Sequence, residues 1–473
     1  MDDQLSLQVR RTERSLLLVF IAAAVMLRIV SLVVAPSIEM DGIGYTAMAD
    51  FFAKGQFKEA LKVARVPFYP MTISLFHLVI PDVELAGRVA SLAFALGLIL
   101  VCYLFAKRFF GERAALYSTF LVAVQPYLIR YSWTVLSESL ATLLFTAAVF
   151  LFYAGLVRSR SFFFTCSGLL LTLSYLTRPE YIIYFVPLTL LLLVKERRIR
   201  HTAAFLVCFV VIALAFLAYL RLKSGFWVID PKMLDWKKAE SGASSFSLFF
   251  GTMTLAGFLK NIPAVAGNFA EAMFPPLLLL AVFGFKGVDG RYRWLVVLLV
   301  VTHVLGRSFV PHTTRRYSVE FAPLVMVFAC FGLNALRTLT ERFRARATLY
   351  YVCVVVVGLA CLYQGTVWSH GRELHKEAGL YLRGQGRGAV ATRLPIVSFY
   401  AQAAWVELPV VWAETTECGP LKERLLAANV SFLAVDDRME KDSAPLYECL
   451  GGYVLMREFT RGGDYVKVYR LSR

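Results

Sequence analysis

Carboxylates beside an apolar run are the first residues in this chain that could do chemistry. The stretch SIEMDGIGYTAMADFFAKGQF, residues 37–57, carries Glu39, Asp41 and Asp50 directly after a segment able to cross a membrane. Gly42 and Gly44 loosen the backbone beside Asp41. A carboxylate held at a bilayer edge is partly desolvated and can serve as a general base. Asp41 could equally cap the helix that follows. Asp50 is expected on the wet face of that helix, and Glu39 either to assist or to be solvated.

Three later clusters add charge. QPYLIRYSWTVLSESLA (125–141) places Glu138 at the start of an apolar run. Acidic residues in such runs face a cavity or a partner, and Arg130 and Arg28 are the candidate ion-pair partners. LTRPEYI (176–182) sets Arg178 beside Glu180 at a proline break. An arginine there could bind a phosphate through two parallel hydrogen bonds, or snorkel to the interface. RSFVPHTTRRYSVEFAPL (307–324) holds Arg307, His312, Arg315, Arg316 and Tyr317. An anionic head group would explain such a cluster. His312 alone is weak evidence for a metal or a proton carrier. Lys54, Lys58, Lys62 and Arg65 read as a solvated helix face near lipid phosphates.

The elements that must position these residues are membrane helices. The chain is 58% hydrophobic and 18% charged, against about 25% charged in soluble domains, and its mean hydropathy is +0.62. About eleven spans are expected, at 15–35, 85–106, 113–130, 134–157, 161–177, 180–194, 202–221, 272–285, 292–309, 317–336 and 347–366. The formal charge of +17 lies mostly in short loops between them, which is the positive-inside pattern and not a nucleic-acid footprint. This alternation puts the N-terminus inside and the C-terminus outside. The candidate residues then fall on the outer face, with large outer loops at 36–84 and 222–271. YTAMADFFAKGQFKEALKVA (45–64) reads as one interfacial amphipathic helix, ended by the two prolines of RVPFYPM (65–71).

Residues 1–366 therefore form a transmembrane domain, and residues 367–473 a small extracytoplasmic α/β domain. In the tail, GAVAT, VSFLAVDD, YVLMREF and YVKVYRL read as strands. GRELHKEAGLYLRG and GPLKERLLAAN read as helices. GQGRG (384–388) precedes a strand, so it is a turn and not a dinucleotide fingerprint. Six cysteines lie in apolar segments as small hydrophobes. Cys418 and Cys449 could pair in an oxidising compartment. The first apolar run reads as an uncleaved signal anchor. Asn429-Val430-Ser431 matches a glycosylation sequon, a pattern common by chance.

Taken in order, MDGIGY, VPFYPM, LSE, LTRPE and RRYSVEFAPL resemble the GT-C superfamily of polyprenyl-phosphate-sugar glycosyltransferases. The similarity is to bacterial members of the dolichyl-phosphate-mannose protein mannosyltransferase and aminoarabinose transferase family, over roughly residues 10–340. The resemblance implies inverting transfer of a sugar from a polyprenyl-phosphate carrier to an acceptor at the outer face. It makes Asp41 the catalytic base. Glu138 would hold sugar hydroxyls or orient the acceptor. Arg178, Arg315 and Arg316 would meet the leaving phosphate, and Glu180, His312, Tyr317, Tyr45 and Tyr69 complete the substrate-binding set. Many relatives carry a second acidic residue where this chain has Gly42, so no metal or other cofactor is expected to be required. The implied partners are the lipid-linked donor, membrane lipids, and a glycan, lipid or protein acceptor. The implied location is a bacterial inner membrane. The competing reading is a secondary transporter or a lipid-linked glycan flippase or ligase. A transporter would carry charges near the bilayer midplane, in paired halves, and neither is evident. A non-catalytic anchor would need no such Asp.

Overall fold

The computed structural model describes residues 2–34, 37–63, 65–195, 199–225, 227, 229–231, 255–310, 314–340, 346–366, 372–386, 388–408, 423, 425–437 and 453–471. His312, Cys418 and Cys449, residues 419–422 and 424, and most of the 222–254 loop lie outside them. The chain divides into two compact units. One is Met1–Val33 with Tyr45–Val367; the other is Val34–Gly44 with Trp368–Arg473.

The first unit is helical. Among the described residues six helices are long and apolar enough to cross a membrane. They are Arg14–Val33, Val83–Phe110, Glu138–Arg158, Ile199–Lys223, Arg315–Thr340 and Thr348–Thr366. Leu255–Met273 and Pro275–Gly287 make a seventh if taken as one span bent by 92°, and Ser161–Thr177 and Pro179–Val194 are shorter apolar helices. The protein is thus a multi-pass membrane protein.

Three breaks differ from expectation, each with a local cause. The helix expected over 45–64 is two, Met40–Ala53 and Phe57–Ala60, separated by Gly55 at φ +70°. Pro67 and Pro70 then start a new helix, Phe68–His77, instead of ending the old one. A fixed φ near −65° and a missing N–H suit the first turn. Accordingly the four basic residues share no single helix face. Asp50 pairs with Lys54 at 2.5 Å and is part-exposed. Residues 255–271, expected in a loop, are helical. That helix stops at Phe274, whose φ of +62° precedes Pro275, where the α region is disfavoured. Helix Glu112–Val124 breaks at Gln125, whose Oε1 accepts from Leu128 N at 2.7 Å while its Nε2 donates to Ala272 O at 2.7 Å.

Helix Pro275–Gly284 packs directly on helix Ala322–Thr340 through Gly284 and Gly332. A Cβ at either glycine would overlap a backbone carbonyl oxygen of the facing helix, Phe328 or Leu280. Small residues let helix backbones approach in this way where lipid supplies no hydrophobic drive. Elsewhere aromatic rings fill the interior, as where Phe105 stacks on Phe150 at 3.6 Å.

The second unit carries a five-stranded sheet in the order β2-β1-β3-β5-β4. Its strands are β1 Ala389–Thr392, β2 Trp405–Glu407, β3 Val430–Asp436, β4 Tyr453–Arg461 and β5 Asp464–Leu471. β2, β1 and β3 are parallel, whereas β3, β5 and β4 are antiparallel. Gly462 and Gly463, at φ +61° and +93°, close the β4–β5 hairpin, where such turns need positive φ. Helices Glu373–Arg383 and Ile396–Ala401 bury Leu374, Ala378, Leu382 and Val397 against Val390 and Phe432 of the sheet.

Candidate functional site

Glu138 opens helix Glu138–Arg158 and is 3% exposed. Two guanidinium groups reach it. Arg178 lies at 2.9 Å, and Arg316 also pairs with it. Neither Arg130 nor Arg28, the partners expected from the local sequence, fills this role. They are near in sequence or share the apolar region, but helix packing brings the starts of other segments to Glu138 instead.

Arg178 owes its position to the residue after it. It precedes Pro179, so it is held extended at φ −151° and ψ 119°, as a residue before proline prefers. It leaves the helix axis and is 5% exposed, so it does not snorkel. It pairs at 2.7 Å with Glu180 and lies 5.1 Å from the ring centroid of Tyr317. Arg307 stacks on the same ring at 3.7 Å. Cation–π contacts of this kind are stronger when desolvated.

Below these charges lies a hydrogen-bonded group that motif reading missed. Glu320 accepts from Tyr181 Oη at 3.0 Å and Tyr184 Oη at 3.3 Å. His303 Nδ1 lies 3.0 Å from Tyr184 Oη, and its Nε2 lies 3.0 Å from Ser318 Oγ. If Tyr184 donates to Glu320, it accepts from His303 Nδ1–H. Ser318 then donates to Nε2, which assigns the tautomer. Glu320 was legible as a candidate, because it is an acidic residue inside an apolar run. His303, Tyr181 and Tyr184 carried no spacing signal.

Arg315 differs from the other arginines. It pairs with Glu271 near the surface, with side chains 43% and 48% exposed, and sits 5.4 Å from the Tyr127 ring. Every arginine expected to meet a phosphate therefore already faces a carboxylate. Tyr45 and Tyr69 are both buried and pack edge to face at 5.1 Å. Tyr45 Oη lies 3.3 Å from Ser137 Oγ, next to Glu138, and Tyr69 Oη lies 2.9 Å from Ser91 Oγ. Burial pushes the Tyr69 phenol pKa up, so this side chain stays protonated. Among the described residues none donates a hydrogen bond to Glu138 Oε2. It lies in the lining of a cavity of about 10 Å³ with Arg28, Tyr131 and Ser139.

Asp41 belongs to the second unit. It lies in the first turn of helix Met40–Ala53, where a carboxylate complements the helix dipole. Glu39 immediately precedes this helix, and its carbonyl accepts from Ile43 N at 3.3 Å. Glu39 is not simply solvated, because its carboxylate pairs with Arg372. Among the described residues no group of three or more His, Cys, Asp or Glu side chains could hold a metal ion.

Residues 64–220 match the family model of dolichyl-phosphate-mannose-protein mannosyltransferases. ArnT from Cupriavidus metallidurans in its apo state aligns with a TM-score of 0.61 at 13% identity, over 97% of this chain and 98% of that one. The fold is that of the GT-C membrane glycosyltransferases. ArnT bound to undecaprenyl phosphate aligns with a TM-score of 0.62 at 13% identity, over 96% and 98% of the two chains. The Archaeoglobus fulgidus oligosaccharyltransferase complexed with zinc and sulfate gives 0.62 at 13% identity, over 96% of this chain and 73% of that one. No curated protein matches the chain in sequence.

Proposed function

We propose that this protein transfers a sugar from a polyprenyl-phosphate carrier to an acceptor at the outer face of a bacterial inner membrane, with inversion at the anomeric carbon. The observation that carries this reading is the likeness of nearly the whole chain to ArnT bound to undecaprenyl phosphate. The match of residues 64–220 to a mannosyltransferase family supports it.

Asp41 serves as the base. The acceptor hydroxyl gives its proton to Asp41 as its oxygen bonds to the anomeric carbon. The bond from that carbon to the phosphate oxygen breaks, and its electron pair leaves with the lipid phosphate. Fixed cations stabilise the charge that develops there. Arg315 and Arg316 suit this task best, being 43% and 29% exposed in their side chains. A phosphate would have to displace Glu271 from Arg315. Buried Arg178 instead holds Glu138 and Tyr317 in place. Glu138, whose Oε2 has no hydrogen-bond partner among the described residues, holds a hydroxyl of the sugar or the acceptor. Tyr45, Tyr69, Tyr317 and His312 complete the proposed substrate-binding set, and Glu180 fixes Arg178. The carrier is already activated, so no nucleotide is needed, and with Gly42 in place of a second acidic residue no metal is proposed.

The test uses purified protein in lipid vesicles, given polyprenyl-phosphate sugars and a membrane extract. Asp41→Asn should reduce sugar release at least about a hundredfold, within the range ascribed to general bases. Equal release by the variant would refute the base assignment. No release from any carrier would refute the enzyme reading. Protease cleavage of the tail from the inner face only would refute the outer placement.

A further inference from the structure

The segment before Asp41 is held by the C-terminal domain through two separate contacts. Ile38 is 1% exposed, and its backbone N–H donates to Tyr400 Oη at 2.9 Å. Glu39, one residue on, pairs with Arg372. These two residues lead directly into the helix whose first turn carries Asp41. Their partners are themselves anchored. Arg372 stands immediately before helix Glu373–Arg383. Near the start of that helix, His375 Nε2 lies 3.2 Å from Asp436 Oδ2, at the C-terminal end of β3. Arg393, just beyond β1, donates to the same oxygen at 2.6 Å. Tyr400 belongs to helix Ile396–Ala401, and Lys376 lies 5.3 Å from its ring centroid. Polar contacts, part of them buried, thus link the C-terminal end of the central strand β3 with the segment that leads into the Asp41 helix.

We infer that the C-terminal domain positions the catalytic base, with Arg372 and Tyr400 as its positioning residues and Asp436 as their support. The inference rests on the proposed role of Asp41. Without these contacts Ile38 N–H would be buried and unpaired, and Glu39 would lose its partner, so residues 37–45 would sample other orientations. A base displaced by about 1 Å can lose about a hundredfold in rate. Neither residue is assigned a contact with the donor, so donor affinity should not follow.

Two readouts on the full-length protein in lipid nanodiscs test this. Hydrogen exchange of residues 37–48 should quicken about fivefold in Arg372→Gln and in Tyr400→Phe, and about 25-fold in the double variant, as expected for independent weak contacts. Exchange in β3 and β5 should stay as in the wild type. Sugar transfer from an undecaprenyl-phosphate-linked sugar should show a lower kcat with unchanged KM for the carrier. Arg372→Lys should recover most of it. Unchanged exchange over residues 37–48 in the double variant would overturn the inference whatever the activity. Faster exchange with undiminished kcat would overturn it too, while a large loss in Asp41→Asn would leave the proposed function standing. Faster exchange with equal transfer by wild type and Asp41→Asn would remove the base assignment, and with it the claim that a base is being positioned.

Discussion

Replacing Arg178 by methionine should destabilise the protein by about 3 kcal/mol. The estimate starts from Glu138, 3% exposed, and the Arg178 side chain, 6% exposed, at 2.9 Å. Removing one partner of a buried ion pair costs about 3–5 kcal/mol, because the other charge remains buried. The low end applies here since Arg316 still pairs with Glu138. Glu180, whose side chain is 18% exposed, can recover some hydration. Arg178→Lys should lose only about 1.5 kcal/mol, because it keeps the charge but not the planar fork. The double variant Glu138→Gln/Arg178→Met should be more stable than Arg178→Met alone, since no ionised carboxylate is left in the helix start. Unfolding followed by tryptophan fluorescence in mixed micelles of increasing denaturing detergent measures each difference. A loss below about 0.5 kcal/mol for Arg178→Met, as for an exposed pair, would refute the reasoning. A double variant no more stable than the single would do the same.

Other substitutions separate packing from charge. Gly332→Ala should destabilise by about 1–3 kcal/mol, measured by the same unfolding, because the added Cβ overlaps the Leu280 carbonyl. Tyr69→Phe should cost about 1 kcal/mol, the worth of its bond to Ser91, and leave no change in secondary structure by circular dichroism. Glu271→Gln should change stability by less than about 1 kcal/mol, as its pair with Arg315 is exposed. The same variant should bind undecaprenyl phosphate more tightly in a vesicle assay, because Arg315 no longer has a carboxylate to give up. Weaker or equal binding would argue against Arg315 as a phosphate contact.

Much of the fold was legible in short windows of sequence. Long apolar runs set the helices of the first unit, since a helix is the structure that satisfies its own backbone in lipid. Four strands of the tail emerge close to their expected places, because alternating Val, Leu and Tyr announces them. β2 is three residues long and gives no such pattern. By sequence the prolines at 67 and 70 look like stops, because proline breaks helix interiors; at the first turn the same chemistry starts a helix. Glu138 and Arg178 were legible as unusual charges in apolar surroundings. The pairing of Glu138 with Arg178 and Arg316 was not, because these residues are distant in sequence and meet only when helix starts converge.

The sequence by itself therefore determined the membrane class, the basic loops, the strand-forming tail and the set of chemically capable residues, all of which follow from composition and local period. The tertiary structure decided which charge neutralises which. It also decided that Tyr184 lies between Glu320 and His303, and that Glu39 is held by Arg372. Such pairings depend on distances between residues far apart in the chain. No local preference of a side chain encodes them; only the packing of the helices and of the sheet brings the partners within reach.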